Sequence, residues 1–448
     1  MDFVQCLEKL ESAGMLARVK SEVDPVHELA GVASHFDGKQ VLLFEKIRGQ
    51  KFTLAMGLWW NRHNIAHLFD TTADKLPVRL SEAVASLHSA PVAPVVVADA
   101  PVQEVRMATP DLGKIPIPTL ALGDGGAYLD TCIIIAKDPD TGVRNTSVHR
   151  MMVTGPNRLG LLMDVGRHLR DYYERAEARG EALEITINNG THPAWYVAAI
   201  TPGAAAPLEL DELCIASNLL GEPARLCCSQ TVDVEGIADA QLVIEGKILP
   251  HVREPEGPFG EVGGYYATRE NRWVIEVTNI THRANPVIHS LLPGKEVWNS
   301  LGLNVEASIY ATISRQVRGV RNVYLTHGSG SYHAVVQMDP LANGMAKNAI
   351  MATFAAFYHI QMVTVVNSDV DIFNAEEVEH ALATRCRPDK DIMILPGCFG
   401  HELNPATDKG LGAKVGFDCT CPLPRSDRFR KVQFMEVALE KHTIEGVR

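Results

Sequence analysis

Acidic side chains are concentrated in one loop that is also rich in Pro and Gly. Residues 254–266 contain three Glu, two Pro and four Gly. Because Pro fixes φ and Gly permits positive φ, this composition predicts a stiff loop and not the interior of a strand or helix. Such a loop could hold Glu256 and Glu261 against a cation, as in a general acid/base site. The alternative is a surface turn with solvated acids, but Phe259 and the Tyr-Tyr pair at 265–266 favour partial burial.

Three further segments carry polar residues that could bind a metal or an anion. They are the polar strand Asn145 to Arg150, the helix start Gly166 to His168, and Glu209 to Glu212 before an apolar helix. Taken singly, each has an ordinary structural explanation, since acids at a helix start complement the helix dipole. Taken together, they supply Asn, His and Glu ligands for a divalent ion such as Mn²⁺ or Mg²⁺. They also supply one Arg that could sit between two Glu.

The composition is ordinary for a soluble globular protein and excludes several classes of function. The 448 residues should form two or three domains. A formal net charge of −12 without a Lys/Arg-rich run argues against a nucleic-acid partner. The start lacks the regions of a signal peptide, and the longest apolar stretch, 349–366, is interrupted by polar residues, so we expect no membrane span. Nine cysteines without a CxxC pair are typical of reduced thiols in a cytoplasmic protein.

The pattern of apolar residues predicts an α+β or α/β multidomain protein. We expect an N-terminal α/β region over 1–108, a central domain over 109–303, a linker helix over 304–318 and a C-terminal α/β domain over 319–448. Many candidate strands and one clear helix, Val165 to Ala178, suggest a barrel or closed sheet in the central domain. Its candidate strands are 131–136, 145–153, 183–188, 195–199, 242–248, 273–280 and 287–290. Alternating strands and helices after the linker are typical of a partly parallel sheet.

Several motifs, in one order along nearly the whole chain, resemble those of the UbiD family of prenylated-FMN-dependent (de)carboxylases. The family's Glu-x-x-x-x-Glu loop matches Glu256 to Glu261, and its Asn-x-x-x-x-Arg strand matches Asn145 to Arg150. Its metal-binding His and Glu match His168 and Glu212. Further matches are Ala346 to Ala349, Asn367 to Ile372, Ala383 to Arg385 and Lys414 to Asp418. One such motif would be weak evidence, whereas the ordered set is strong.

The resemblance implies a fold and a cofactor site. A split β-barrel would bind prenylated FMN, and a C-terminal α/β domain would assemble a homodimer or homohexamer. Asn145, His168 and Glu212 would bind Mn²⁺ or Mg²⁺ beside the cofactor phosphate, with K⁺ nearby. The expected cofactor-binding residues are Asn145, Thr146, Ser147, Val148, His149, Arg150, Arg167, His168, Glu212 and Lys347. Lys347 would add positive charge at the phosphate, and a flavin prenyltransferase would supply the cofactor.

The resemblance also implies a reaction. Arg150, Glu256 and Glu261 would form a catalytic network for reversible, non-oxidative release of CO₂ from an aromatic or heteroaromatic acid, with Glu261 as proton donor. The chain is shorter than the cinnamate- and ferulate-type enzymes and looks closer to relatives acting on phenolic or heteroaromatic acids, such as hydroxybenzoates or furoates. His289 could contact the substrate, or it could be a buried structural residue. Two alternatives remain: a metal-dependent hydrolase that uses His168 and the same acids, and a non-catalytic flavin-binding subunit of a carboxylase.

Overall fold

The computed structural model describes residues 1–164, 166–203, 205–294, 296–432 and 435. Helices and strands alternate through several packed units, which confirms the predicted mixed α/β multidomain architecture. Within the described ranges, no helix is both long and apolar enough to cross a membrane. The predicted helix start at Val165 and the end of the predicted C-terminal domain, 436–448, lie outside the described residues.

A four-stranded sheet flanked by helices forms the N-terminal region. Its elements are α1 (Phe3–Ser12), β1 (Leu16–Val23), α2 (Glu28–Ser34), β2 (Val41–Ile47), β3 (Thr53–Met56), α3 (Arg62–Leu68) and α4 (Leu76–Ser89). Helix α1 begins with a capping box in which Asp2 and Gln5 exchange side-chain and backbone hydrogen bonds. The fourth strand, Val287–His289, comes from a distant part of the chain and pairs in parallel with β3.

A nine-stranded sheet forms the centre of the molecule. The elements of this region are β4 (Val95–Val96), β5 (Val105–Arg106), β6 (Tyr128–Leu129), β7 (Ile133–Lys137), β8 (Arg144–Val148), β9 (Met151–Gly155), β10 (Arg158–Leu161), α5 (His168–Glu177), β11 (Leu183–Asn189), α6 (Pro193–Ala199), α7 (Leu213–Leu220), β12 (Arg225–Cys227), β13 (Gly236–Ile237), β14 (Leu242–Glu256), β15 (Phe259–Gly260), β16 (Tyr266–Ala267), β17 (Glu270–His282) and β18 (Val287–His289). The sheet runs β6-β9-β10-β17-β14-β11-β7-β8, and β5 pairs with β17.

The predicted strand 145–153 is two strands joined by His149 and Arg150. Strand β8 pairs with β7 at one end of the sheet, whereas β9 pairs with β6 and β10 near the other end. Because only two residues connect β8 to β9, the sheet must curl until its ends lie side by side. No pairing of β8 with β9 closes the ring in the described part of the chain, so the split β-barrel stays a prediction that this curvature supports. Arg150 lies where the two ends meet.

The predicted strand 195–199 is wrong, because these residues belong to helix α6. Every residue of α6 is buried, so its apolar run has no periodicity that separates a helix from a strand. Capping decides the outcome. His192 Nδ1 accepts a hydrogen bond from Ala194 N at 3.1 Å, and Pro193 occupies the first helical turn, where its missing N–H costs nothing.

A five-stranded sheet with helices on both faces forms the C-terminal domain. Its elements are α8 (Glu296–Gln316), β19 (Val320–Leu325), β20 (His333–Met338), α9 (Met345–Ala356), β21 (Met362–Val366), α10 (Ala375–Arg385), β22 (Ile392–Phe399) and β23 (Leu411–Cys419). Helix α8 begins well before the predicted linker helix and packs with α9 on one face, while α10 packs on the other. Strands β20, β21 and β23 are parallel, so their carboxyl ends share one edge of the sheet.

Candidate active site

Arg150 is the centre of the predicted acidic network. Its Nε donates to Glu256 Oε1 at 3.1 Å, and its Nη2 donates to Glu256 Oε2 at 2.9 Å. Its Nη1 donates to Glu261 Oε1. One guanidinium is therefore shared by two carboxylates, in the arrangement that the motif predicts.

Glu256 is the fixed carboxylate of this network. It is fully buried, and besides Arg150 it accepts a hydrogen bond from the Tyr128 hydroxyl at 2.9 Å. Since all these partners are donors, the geometry suits the ionised form, which only accepts. Gly160 makes room for it, because a Cβ there would lie 3.1 Å from Glu256 Cγ. Sequence reasoning missed Tyr128, which belongs to no motif and lies 128 residues before Glu256.

Glu261 is held more loosely than Glu256. It follows β15, whose hairpin with β16 ends in a turn where Glu261 N donates to Tyr265 O at 2.9 Å. Its side chain is 16% exposed, and Oε1 is its only oxygen with a hydrogen-bond partner among the described residues. The second oxygen of Glu261 therefore has no hydrogen-bond partner in the described ranges, whereas both oxygens of Glu256 have one.

The predicted stiff loop is only partly correct. Glu256 ends strand β14, so the acidic stretch begins inside a strand, and the loop proper starts at Gly257, which has a φ of 96°. Phe259 is buried against Tyr128, as expected. Tyr265 and Tyr266 are 62% and 52% exposed, so this pair gives no support for burial.

A second buried cluster contains the predicted metal ligands. Glu212, the N-cap residue of α7, accepts hydrogen bonds at Oε2 from Asn145 Nδ2 at 2.9 Å and Thr146 N at 2.8 Å. His168, the first residue of α5, places Nδ1 3.5 Å from Glu212 Oε1. Burial raises the pKa of Glu212, while the contacts with His168 and Thr146 N act in the opposite direction.

The chemistry of this cluster fits a hard divalent cation. Asn145 Oδ1 and Thr146 Oγ1 are buried without a hydrogen-bond partner in the described ranges. An amide oxygen, a carboxylate and an imidazole in contact suit Mn²⁺ or Mg²⁺. Among the described residues, no group of three or more His, Cys, Asp or Glu could hold a metal. The cluster here has only two residues of these types, His168 and Glu212, and its third ligand would be the amide of Asn145. A Cβ at Gly203 would lie 2.8 Å from His168 Nε2, so a side chain at position 203 would displace the imidazole.

The other predicted cofactor-binding residues surround these two clusters. His149 Nε2 contacts Ser147 Oγ at 3.1 Å and Nδ1 contacts Leu162 O at 2.9 Å, and burial lowers the pKa of His149 to about 4. Val148 packs against the apolar core. Arg167 is the N-cap residue of α5, and its charge acts on histidines of both the central and the C-terminal domain.

His289 is a buried core residue. Its backbone N–H donates to Asn189 Oδ1 at 2.8 Å, and its ring lies 5.1 Å from the ring of Phe3. Complete burial lowers the pKa of His289 to about 3, so the ring is neutral. These contacts and the place of His289 on β18 in the N-terminal sheet favour the structural alternative, while its Nε2 is buried without a partner among the described residues, so the substrate contact stays a prediction.

Lys347 is not brought to the other predicted residues. Its Nζ donates to Lys390 O at 2.6 Å beside the carboxyl ends of the parallel strands. The Glu261 loop contacts the opposite edge, where a Cβ at Gly263 would lie 3.2 Å from the hydroxyl of Tyr332, just before β20. The length of a six-residue strand, roughly 17 Å, separates these edges. In this chain Lys347 therefore lies apart from the Glu261 loop.

Three aromatic residues of the C-terminal domain, Tyr332, His401 and His359, lie next to one another beside the Glu261 loop. The rings of Tyr332 and His401 are 5.8 Å apart, and those of His401 and His359 are 4.2 Å apart. Burial lowers the pKa of both histidines, that of His359 to about 2, so both rings are neutral. The Tyr332 hydroxyl is buried without a partner among the described residues. These residues come from separate segments, and no local spacing predicts that they meet.

Three family models match the chain along most of its length. The 3-octaprenyl-4-hydroxybenzoate carboxy-lyase Rift-related domain matches residues 94–296, and the N-terminal and C-terminal domains of the same carboxy-lyase match residues 7–84 and 299–419. This chain belongs to the UbiD family. The family predicted from the ordered motifs is thus confirmed, and the chain is a carboxy-lyase by family.

Relatives of known structure or name cover nearly the full chain. The UbiD-class enzyme HmfF from Pelotomaculum thermopropionicum, solved in complex with FMN, is 40% identical with a TM-score of 0.95, over 99% of this chain and 100% of that one. An evolved dimeric form of HmfF was solved with prenylated FMN, at 40% identity, a TM-score of 0.89 and 99% coverage of both chains. Anhydromevalonate phosphate decarboxylase of Methanothermobacter thermautotrophicus is 35% identical over 93% of this chain and 97% of its own. Gallate decarboxylase of Lactiplantibacillus plantarum is 30% identical over 93% of each chain.

Proposed function

We propose that this carboxy-lyase uses prenylated FMN to decarboxylate an aromatic or heteroaromatic acid. The observation that carries the proposal is the Arg150 guanidinium shared between Glu256 and Glu261. The FMN and prenylated-FMN complexes of HmfF support the cofactor, and the gallate decarboxylase relative supports an aromatic acid. The dimeric form of HmfF supports at least a dimer here.

The second cluster would hold the cofactor. Asn145, His168 and Glu212 would bind Mn²⁺ or Mg²⁺ with the cofactor phosphate, K⁺ would lie nearby, and Arg167 would add positive charge. When bound, prenylated FMN supplies the electron sink for decarboxylation, and the protein supplies orientation and electrostatics. The buried, unpartnered oxygen of Asn145 supports this assignment.

The Arg150 network would supply the proton that replaces the carboxylate. Glu256, held by Arg150 and Tyr128, keeps the guanidinium in place. Loss of CO₂ leaves an electron pair on the carbon that bore the carboxylate, and Glu261 delivers its proton to that carbon. Glu261 then regains a proton from water through its exposed side. The reverse sequence, in which Glu261 removes the proton and CO₂ is added, would be carboxylation.

The C-terminal residues would recognise the substrate. The Tyr332 hydroxyl has no partner among the described residues, and the neutral rings of His401 and His359 can donate or accept hydrogen bonds. Polar substituents on an aromatic ring offer matching partners. A phosphorylated aliphatic acid is the second candidate, because a relative 35% identical is an anhydromevalonate phosphate decarboxylase.

The test is expression with and without a flavin prenyltransferase. We expect an absorption spectrum of prenylated flavin only in the co-expressed protein. The loaded enzyme is then given hydroxybenzoates, furoates and anhydromevalonate phosphate in D₂O. CO₂ release is measured together with deuterium incorporation into the product, at the carbon that has lost its carboxylate. A flavin-loaded protein that neither releases CO₂ nor incorporates deuterium into any product would support the non-catalytic subunit instead.

A further inference from the structure

A large polar cavity lies at the edge of the C-terminal sheet opposite the Glu261 loop. It has a volume of about 940 Å³ and opens where β20, β21 and β23 end, between the start of α9 and the end of α10. In open α/β sheets, ligands bind in crevices at the carboxyl ends of parallel strands. The position and size of this cavity are therefore those of a small-molecule site.

The wall of this cavity carries a strong excess of positive charge. Seven Lys or Arg side chains line it against two Asp, in a chain whose formal net charge is −12. Asp418 accepts hydrogen bonds from Thr420 N at 3.0 Å and Thr420 Oγ1 at 2.6 Å, so its carboxylate stabilises the turn that follows β23. Three of the seven cations are neutralised by carboxylates, in the pairs Arg385–Asp369, Arg387–Asp391 and Lys431–Glu377.

Four cations of the wall have no carboxylate partner among the described residues. They are Lys347, Lys390, Arg428 and Arg430. Lys347 Nζ donates to the Lys390 carbonyl at 2.6 Å, which fixes the ammonium group, and its charge also acts on the Asp391 carboxylate. The guanidinium of Arg428 lies over the Phe429 ring, 4.6 Å from its centroid. Two of the four charges are thus held in place at the wall of the cavity.

We infer that this cavity binds a small molecule with two or more phosphate groups, such as a nucleoside diphosphate. Several cations without carboxylates attract a polyanion more strongly than a single carboxylate, because their contributions add. The start of α9, at Gly344 and Lys347, presents its positive end to the same space. The Phe429 ring offers an apolar face to a base or other planar group. This site is separate from the flavin site and does not depend on the proposed function.

The experiment is titration calorimetry of the full-length, flavin-loaded protein with ADP and with pyrophosphate, at about 0.15 M salt to suppress weak surface binding. We expect saturable binding that excess FMN does not displace. A Lys347→Met/Arg430→Met double variant should weaken it at least about tenfold. Lys46→Met, which removes an exposed cation on β2, is the matched control and should leave binding unchanged. Circular dichroism checks that each variant is folded.

Three results would overturn the inference. The first is binding that His168→Ala abolishes and the double variant retains, because the anion would then occupy the flavin site. The second is loss of flavin from Lys347→Met, which would return Lys347 to the cofactor. The third is absence of ADP and pyrophosphate binding. If the double variant in that case also changes the oligomeric state in analytical ultracentrifugation, the cavity is a contact between copies of the chain.

Discussion

The cluster around Arg150 and the cluster around Asn145 lie at the two ends of the segment 145–150. They differ in whether their buried polar atoms have hydrogen-bond partners. At Arg150, the guanidinium, both oxygens of Glu256 and the Tyr128 hydroxyl are all paired with one another. At Asn145, the amide oxygen is buried with no partner among the described residues. Because unpaired buried polar atoms are costly, the first cluster is satisfied by its own residues, whereas the second leaves an oxygen unpaired, as the proposed ligand site requires.

This difference separates the proposed chemistry from the proposed cofactor binding. A change at Glu261 removes the proposed proton donor but leaves the buried pair of Arg150 and Glu256 intact. A change at His168 removes a proposed ligand atom but leaves the acidic network intact. Each of the following variants therefore tests one cluster while the other serves as its reference.

Glu261→Gln should have the largest effect. Gln keeps an oxygen for Arg150 Nη1 but has no carboxylic proton to deliver, so we expect kcat to fall by about 10³-fold or more. The flavin absorbance per protein should not change. Initial rates of CO₂ release and the absorption spectrum of the same preparation measure both quantities.

Glu254→Gln is the matched control for this variant. Glu254 precedes the network on the same strand, but its carboxylate pairs with Arg158 at 3.0 Å in a partly exposed position. We expect a rate close to that of the unchanged enzyme. Normal turnover by Glu261→Gln would remove Glu261 from the role of proton donor.

His168→Ala should have the next largest effect, on cofactor retention. Loss of the imidazole beside Glu212 should weaken cofactor binding by about 10- to 100-fold, the range typical of changes around a metal site. The measurement is the flavin content after gel filtration. His251→Ala, an exposed histidine 3.6 Å from Glu177, is the control. Equal flavin content in both variants would contradict a role for His168 in the metal site.

The catalytic clusters could be predicted from the sequence because their key residues recur at short, fixed spacings. Glu256 and Glu261 stand in one loop, and Asn145 and Arg150 in one segment. Tyr128 could not be predicted in the same way, since it meets Glu256 only through the pairing of distant strands. Lys347 shows the opposite error, because a matching motif fixes a position in the chain but not its distance from the site.

The fold was predictable where periodicity and capping agree. Strands β3 and β21 begin and end where their apolar runs do. Helix α6 was missed because a fully buried run has no polar face. The break between β8 and β9 was missed because it arises from the curvature of the sheet, which no local pattern encodes. That break positions Arg150, so the site depends on a feature that only the assembled sheet provides.

Asp130→Asn compares Glu256, which is paired with a cation, with a buried acid that has no cation partner among the described residues. Asp130 is buried and accepts a hydrogen bond from Ser290 Oγ at 2.7 Å, and burial raises its pKa to about 7. The folded state therefore binds this proton more tightly than the unfolded chain. The stabilisation is complete below about pH 4 and is lost as the pH rises to 7.

The expected result is a stability difference that depends on pH. As the pH rises from 5 to 7, the free energy of unfolding of Asp130→Asn should rise by roughly 2 kcal/mol relative to that of the unchanged protein, since Asn stays neutral. Thermal unfolding midpoints at a series of pH values measure this. Asp233→Asn, whose side chain is 99% exposed, should show no such trend. Parallel curves for Asp130→Asn and the unchanged protein would mean that Asp130 does not take up a proton on folding.

Tyr128→Phe should have the smallest effect on kcat. It tests whether the Arg150 cluster needs the Tyr128 hydroxyl as well as the guanidinium. It removes the hydroxyl bond to Glu256 but keeps the ring against Phe259 and both bonds from Arg150. One hydrogen bond to a charged group is worth about 1.5–3 kcal/mol. Because Arg150 still holds Glu256 by two bonds, we expect only part of this in kcat, a fall of about 5- to 20-fold with unchanged flavin content. Tyr266→Phe, which removes a surface hydroxyl bonded to Gly123 N, is the control. An unchanged kcat would mean that Arg150 alone fixes Glu256, because the network would then keep its geometry without the third donor.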